Sequence, residues 1–141
     1  MSVKTEILDN LKVKLEDLGI FKKVVRGLIG LDKVKKTDYP LACLNSYKTE
    51  RNDELSTYNR QARNMYVEVF CINKENMSGN FHKDLDDFED SLISYFENLM
   101  PTDLHNRCVN FVFIESEEVI NEQDFDGLFF MKFNVVISYY V

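Results

Sequence analysis

Leu128-Phe129-Phe130-Met131-Lys132-Phe133-Asn134-Val135-Val136-Ile137-Ser138-Tyr139-Tyr140 decides the fold. One phase of this stretch, Phe129, Met131, Phe133, Val135, Ile137 and Tyr139, is wholly apolar and continues into Val141. The other phase reads Leu128, Phe130, Lys132, Asn134, Val136, Ser138 and Tyr140. A two-residue period in β-branched and aromatic residues predicts a strand whose first phase faces the core. Thirteen residues at ~3.3 Å each reach about 40 Å, against a diameter on the order of 37 Å for a domain of this size. Such a strand is either bent by a bulge, or it projects its Leu128 end as a hairpin arm with Phe129 and Phe130 at its base. An arm with exposed aromatics would be an oligomerisation surface.

Outward from this strand, Val109 to Ile114 reads as its hairpin partner. The acidic segment Glu115 to Gly127 is expected to be the connecting loop, with Asp126-Gly127 as a turn dipeptide. Arg63 to Ile72 is apolar in both phases, which predicts a central strand covered on both faces. Tyr39-Pro40 introduces a strand over Leu41 to Tyr47, because proline is tolerated at a strand's first residue. Lys48 to Asn59 is polar throughout and is expected to be an exposed loop. Ile20 to Arg26, bounded by Gly27, reads as a short strand.

Two segments carry helical spacing instead. Val3, Ile7, Leu8, Leu11, Leu15 and Leu18 predict an amphipathic helix over Val3 to Leu18, with Ser2 as N-cap and Gly19 as its left-handed stop. Phe81, Leu85, Phe88, Leu92, Ile93, Phe96 and Leu99 predict a second over Phe81 to Leu99, after a turn at Ser78-Gly79-Asn80. Asp84, Asp86, Asp87, Glu89 and Asp90 suit the positive end of its dipole, and Pro101 stops it. The expected fold is α+β: a mixed, mostly antiparallel sheet of four to five strands packed by two amphipathic helices, with a long C-terminal β-hairpin, in one domain over residues 1–141.

With 45% hydrophobic and 29% charged residues, the 141-residue chain has the composition of a folding domain. A chain of this length removes about 68–70% of its unfolded surface from water, so a core forms without disulfides or metal. Its formal charge of −7 makes it a poor general binder of phosphate backbones. No stretch approaches the roughly 18 apolar residues of a membrane span. The first residues, Met1-Ser2-Val3-Lys4-Thr5-Glu6, contain no apolar block of a signal peptide, so a cytosolic origin is expected.

The chain offers little material for catalysis. Cys43, Cys71 and Cys108 are odd in number and far apart, and are expected to be reduced core residues. His82 and His105 flank the second helix, which separates them by roughly 30 Å and so prevents a shared metal; each reads as a surface residue. The acidic run from Asp84 to Asp90 lacks the ligand spacing of a calcium loop. Glu115, Glu117, Glu118, Glu122, Asp124 and Asp126 lie on an expected loop, which rarely fixes two carboxylates for glycoside hydrolysis. Gly27 and Gly30 are not followed by the Lys-Ser/Thr of a phosphate loop. The expectation is no enzyme, no cofactor and no metal site.

The distribution of charge is more informative. Residues 1–36 hold nine Lys and Arg against five Asp and Glu, a balance of +4, while residues 37–141 hold eight against nineteen, a balance of −11. Such a separation would let the basic end of one subunit meet the acidic end of its neighbour in a head-to-tail ring.

In element order and residue class the chain resembles the tail terminator, or tail completion, proteins of tailed bacteriophages and prophages. The residues that carry the likeness are Tyr39-Pro40-Leu41-Ala42, the run Tyr58-Asn59-Arg60-Gln61-Ala62-Arg63-Asn64-Met65-Tyr66-Val67-Glu68-Val69 and the closing Phe133-Asn134-Val135-Val136-Ile137-Ser138-Tyr139-Tyr140. The resemblance implies a structural virion protein, a ring-forming and commonly hexameric subunit. Such a ring caps the tail tube, joins it to the head-tail connector protein, and enters the virion tail after assembly in the bacterial host cytoplasm. It implies partners that are copies of itself, the tube protein and the connector protein, with no sequence-specific nucleic acid and no membrane. Arg51, Asp53, Glu54, Arg60 and Arg63 are the expected polar interface residues, and Phe129 and Phe130 the apolar ones. An ordinary solvated loop would carry the same polar residues. The alternative reading is a small intracellular adaptor or ligand-binding module that uses the open sheet face.

Overall fold

A computed structural model describes residues 2–27, 35–74, 81–118 and 128–141; for 36, 74, 81–85, 128 and 129 it describes the backbone alone. Helix α1 spans Val3–Asp17 and helix α2 spans Phe81–Asn98. Strands β1 (Lys23–Arg26), β2 (Leu41–Arg51), β3 (Ala62–Lys74), β4 (Cys108–Glu118) and β5 (Leu128–Tyr140) form one sheet in the order β1-β2-β3-β5-β4. The β1–β2 pair is parallel and the other three pairs are antiparallel. The expected mixed, mostly antiparallel α+β architecture is therefore the observed one.

Local chemistry sets the helix ends. The Ser2 hydroxyl accepts from the Thr5 backbone N–H at 3.1 Å, satisfying one of the free donors of the first turn of α1. Gly19 closes that helix at φ +74°, where a side chain would be strained. Pro101 opens a short 3-10 turn, Pro101–Asp103, three residues after α2 ends.

Both helices cover the same face of the sheet. Ile7, Leu8, Leu11 and Leu15 of α1 and Leu92 and Phe96 of α2 join Ala42 and Leu44 of β2, the odd residues from Met65 to Cys71 of β3, and the odd residues from Met131 to Tyr139 of β5 in one core. The wholly apolar phase of β5 faces this core from Met131 onward, as its alternation predicts. Phe96 anchors the layer, with ring centroids 5.9 Å from Phe111 and 5.7 Å from Phe133. A second, smaller cluster of Leu41, Cys43, Ile72 and Phe130 is buried on the opposite face.

Three expectations are corrected. β5 neither bulges nor projects alone, because its thirteen residues pair without a break with the thirteen of β3, from Ala62–Tyr140 to Lys74–Leu128. The irregularities fall instead in the neighbours, between Ser46 and Lys48 of β2 and at two points in β4. Lys48 to Arg51 are strand rather than loop, since Tyr66, Met65, Asn64 and Arg63 stand opposite them and supply a backbone partner that outweighs weak propensity. Glu115 to Glu118 likewise continue β4 against Asn134 to Met131. Ser78-Gly79-Asn80, Gly30, Glu122, Asp124 and Asp126-Gly127 lie outside the described residues.

Candidate functional site

The polar loop between β2 and β3 is held by hydrogen bonds rather than by a core. The Asn52 side chain accepts from the Leu55 N–H at 3.0 Å and donates to Asn64 Oδ1 at 2.9 Å. The Ser56 hydroxyl accepts from the Ala62 N–H at 2.9 Å and donates to the Asn52 carbonyl at 2.6 Å. Thr57 and Arg60 close the tip through reciprocal backbone bonds of 2.7 and 3.3 Å, leaving Tyr58 between them fully exposed.

The expected interface residues fall into three groups. Arg51 and Arg63 face each other across β2 and β3, and Asp53 reaches Arg51 at 2.9 Å. Glu54 is exposed in the loop. Arg60 is exposed and lays its guanidinium 3.7 Å from the centre of the Tyr140 ring. This cation–π contact pins the loop to β5. Phe130 is only 8% exposed and sits in the second cluster, so its side chain is occupied within the chain instead of lying at the base of an arm. The Phe129 side chain lies outside the described residues.

Cys43, Cys71 and Cys108 are all buried and unbridged. Burial pushes the Cys71 thiol well up and the Cys108 thiol to about 12, so neither supplies thiolate near neutrality. His105, expected at the surface, is part-buried between α1 and the turn after α2. The Arg107 N–H donates to its Nδ1 at 3.0 Å, so Nε2 carries the hydrogen toward Glu6, 2.6 Å away. The His82 side chain lies outside the described residues. Among the described residues no group of three or more His, Cys, Asp or Glu could hold a metal ion, and no helix is long and apolar enough to cross a membrane.

The helix-free face of the sheet is banded. Tyr47 and Tyr66, with ring centroids 6.2 Å apart, line up with Val136 and Val112 as an apolar row across four strands. On one side of it run Asn45, Glu68, Asn134 and Glu115; on the other, Glu50, Asn64, Ser138 and Asn110. Tyr66 donates a hydrogen bond to Glu50, and Lys48 lies 4.9 Å above the Tyr66 ring and 3.4 Å from the Glu50 carboxylate. That hydrogen bond is the main reason the Glu50 carboxyl is held below its ordinary range and the Tyr66 phenol above its own.

The two ends of the sheet carry opposite charge. Exposed Lys22, Lys23, Arg26 and Lys35 surround β1, with Asp38 at 3.7 Å from Lys23 and Asp9 at 3.0 Å from Arg26 as partial counterweights. β4 ends in exposed Glu115, Glu117 and Glu118, of which Glu117 meets Lys132 at 3.5 Å. α2, packed against β4 through Phe96 and Phe111, adds exposed Asp86, Asp87, Asp90 and Glu97. Exposed Val112 and Ile114 lie on the same edge strand. The sequence reading placed Glu115, Glu117 and Glu118 on a loop, because their position on a sheet edge depends on which strands end the sheet.

No protein-family model matches this chain, and no curated protein sequence matches it.

Proposed function

We propose that the protein is a structural subunit of a tailed-phage particle, a tail terminator that closes into a homo-oligomeric ring, commonly of six, on the tail tube and joins it to the head connector. The observation that supports the ring is the opposite charge of the two sheet ends, basic around β1 and acidic along β4. A two-fold contact between β4 edges would set Glu115, Glu117 and Glu118 against their own copies, which like-charge repulsion disfavours. A head-to-tail contact sets them against Lys and Arg. Head-to-tail contacts close into rings when the rotation between neighbours permits.

The scarcity of reactive groups suits a part that works by shape. The hydrogen-bonded loop 52–61, with Tyr58 at its tip, is a suitable contact for the tube or connector. Sedimentation of the purified chain together with negative-stain microscopy tests the reading. Closed rings at micromolar concentration are expected; a monomer throughout, with no rings on the grid, would overturn it.

A second reading, a small adaptor that binds a partner on the helix-free face, is favoured by the apolar row of Tyr47, Tyr66, Val136 and Val112. It predicts a stable monomer or dimer in the same measurement.

A further inference from the structure

β1 has only four residues, and it covers β2 only from Leu41 to Leu44 before Gly27 donates a last backbone bond to the Leu44 carbonyl at 2.6 Å. From Ser46 to Arg51 the outer edge of β2 has no strand beside it among the described residues. Six residues at ~3.3 Å make about 20 Å of backbone edge with no described strand beside it. A strand edge of that length is a template for another strand.

Lys4, Lys48, Arg51 and Arg63 lie about this edge, against Glu50, 3.4 Å from Lys48, and Asp53, 2.9 Å from Arg51, so that positive charge is in excess. Lys4, in the first turn of α1, reaches over it and donates to the Thr49 hydroxyl at 2.9 Å. Two hollows flank Lys4. One, of about 370 Å³, is lined by Arg26, Gly27, Asn45 and Ser46 among others, and the Ser46 hydroxyl is buried without a partner. The other, of about 260 Å³, is lined by Thr49, Arg63 and Tyr139 among others. Arg51 and Arg63 lie at the far end of the edge. The place therefore fits an extended, acidic segment.

The chain itself carries such a segment. β4 is the other outermost strand, eleven residues long, and its last part, Glu115-Ser116-Glu117-Glu118, is acidic and exposed or half-exposed. We infer that β4 of a second copy adds to the Ser46–Arg51 edge of β2, so that the sheet runs on from one subunit to the next. Three pairs in succession, β2–β3, β3–β5 and β5–β4, are antiparallel, so β4 runs opposite to β2. A neighbour in the same orientation then presents its β4 antiparallel to β2, the more stable pairing. Faces match as well: Glu118 lies on the helix-covered face with Lys4, Arg51 and Arg63, and Glu117 lies on the open face with Lys48. The inference rests on the ring reading above and assigns its contact.

Charge exchange tests it, at low salt where such contacts are least screened. K4E/R51E alters the β2 edge and E117K/E118K alters β4; circular dichroism checks that each variant folds. Sedimentation is expected to show rings for the wild type, monomers for each variant alone, and rings again for an equimolar mixture, in which acidic and basic edges alternate. Rings from either variant alone, or a mixture that stays monomeric while the wild type assembles, would overturn the edge pairing and leave the ring reading standing. A wild type that never assembles overturns the ring reading itself.

Discussion

Arg51 and Arg63 stand directly opposite each other across β2 and β3, two like charges in register at the exposed end of a hairpin. Asp53, 2.9 Å from Arg51, offsets only one of them. Like charges directly opposite on antiparallel strands destabilise the pair, so the arrangement costs stability in the isolated subunit. Replacing Arg63 by Glu creates an attractive pair and is expected to raise the melting temperature by about 1–2 °C, a shift on the scale of a few tenths of a kcal/mol. Calorimetry on the monomeric chain would read it, and a fall in melting temperature would contradict the cost assigned here.

Phe96 fills the centre of the helix-to-sheet layer and is fully buried against Phe111 and Phe133. Phe96→Ala leaves a cavity there and is expected to cost about 3–5 kcal/mol. Urea denaturation, with the midpoint falling at unchanged slope, checks it. Val112→Ala, at an exposed position on β4, is expected to leave the midpoint nearly unchanged.

The Tyr66–Glu50 hydrogen bond gives a pH signature. Because the Glu50 pKa is depressed in the folded state, its contribution to stability is present above the ordinary carboxylate pKa and is lost as pH falls through the lowered value. Carboxyl carbon NMR is expected to find Glu50 titrating below the ordinary glutamate range. In Tyr66→Phe its midpoint moves up toward that range, with the neighbouring Lys48 retaining part of the depression. An unmoved midpoint would show that the phenol is not the cause.

All three cysteines are 5% exposed or less. With a disulfide-exchange reagent at pH 8 the native chain is expected to react at a small fraction of the rate found in denaturant, where all three thiols become available. Fast labelling of the folded chain would contradict their burial.

The helices were legible because their signals agree at several levels. In α1 the apolar spacing, the Ser2 cap and Gly19 all mark the same element, and in α2 the spacing and Pro101 do. β5 was legible from its alternation. The polar continuations were not. Lys48 to Arg51 and Glu115 to Glu118 have weak strand propensity, and only the strands opposite them, far away in sequence, make them part of the sheet. Phe130 misled for a related reason: its phase also holds Lys132 and Asn134 and so reads as solvent-facing, while Leu41, Cys43 and Ile72 close over one end of that face. Of the candidate contact surface, the charge separation could be counted along the chain. Its placement on opposite edges required the strand order.

The unbroken pairing of thirteen residues on β3 with thirteen on β5 also has a mechanical consequence. Each strand lies along the other for its whole length, so a pull directed along the strands loads all their cross-strand bonds in shear and none can open before its neighbours. A pull across the strands would open the same bonds one after another, like a zip. The subunit is therefore stiff along one axis and weak across it, and the direction of an applied force decides how much of it the fold can bear.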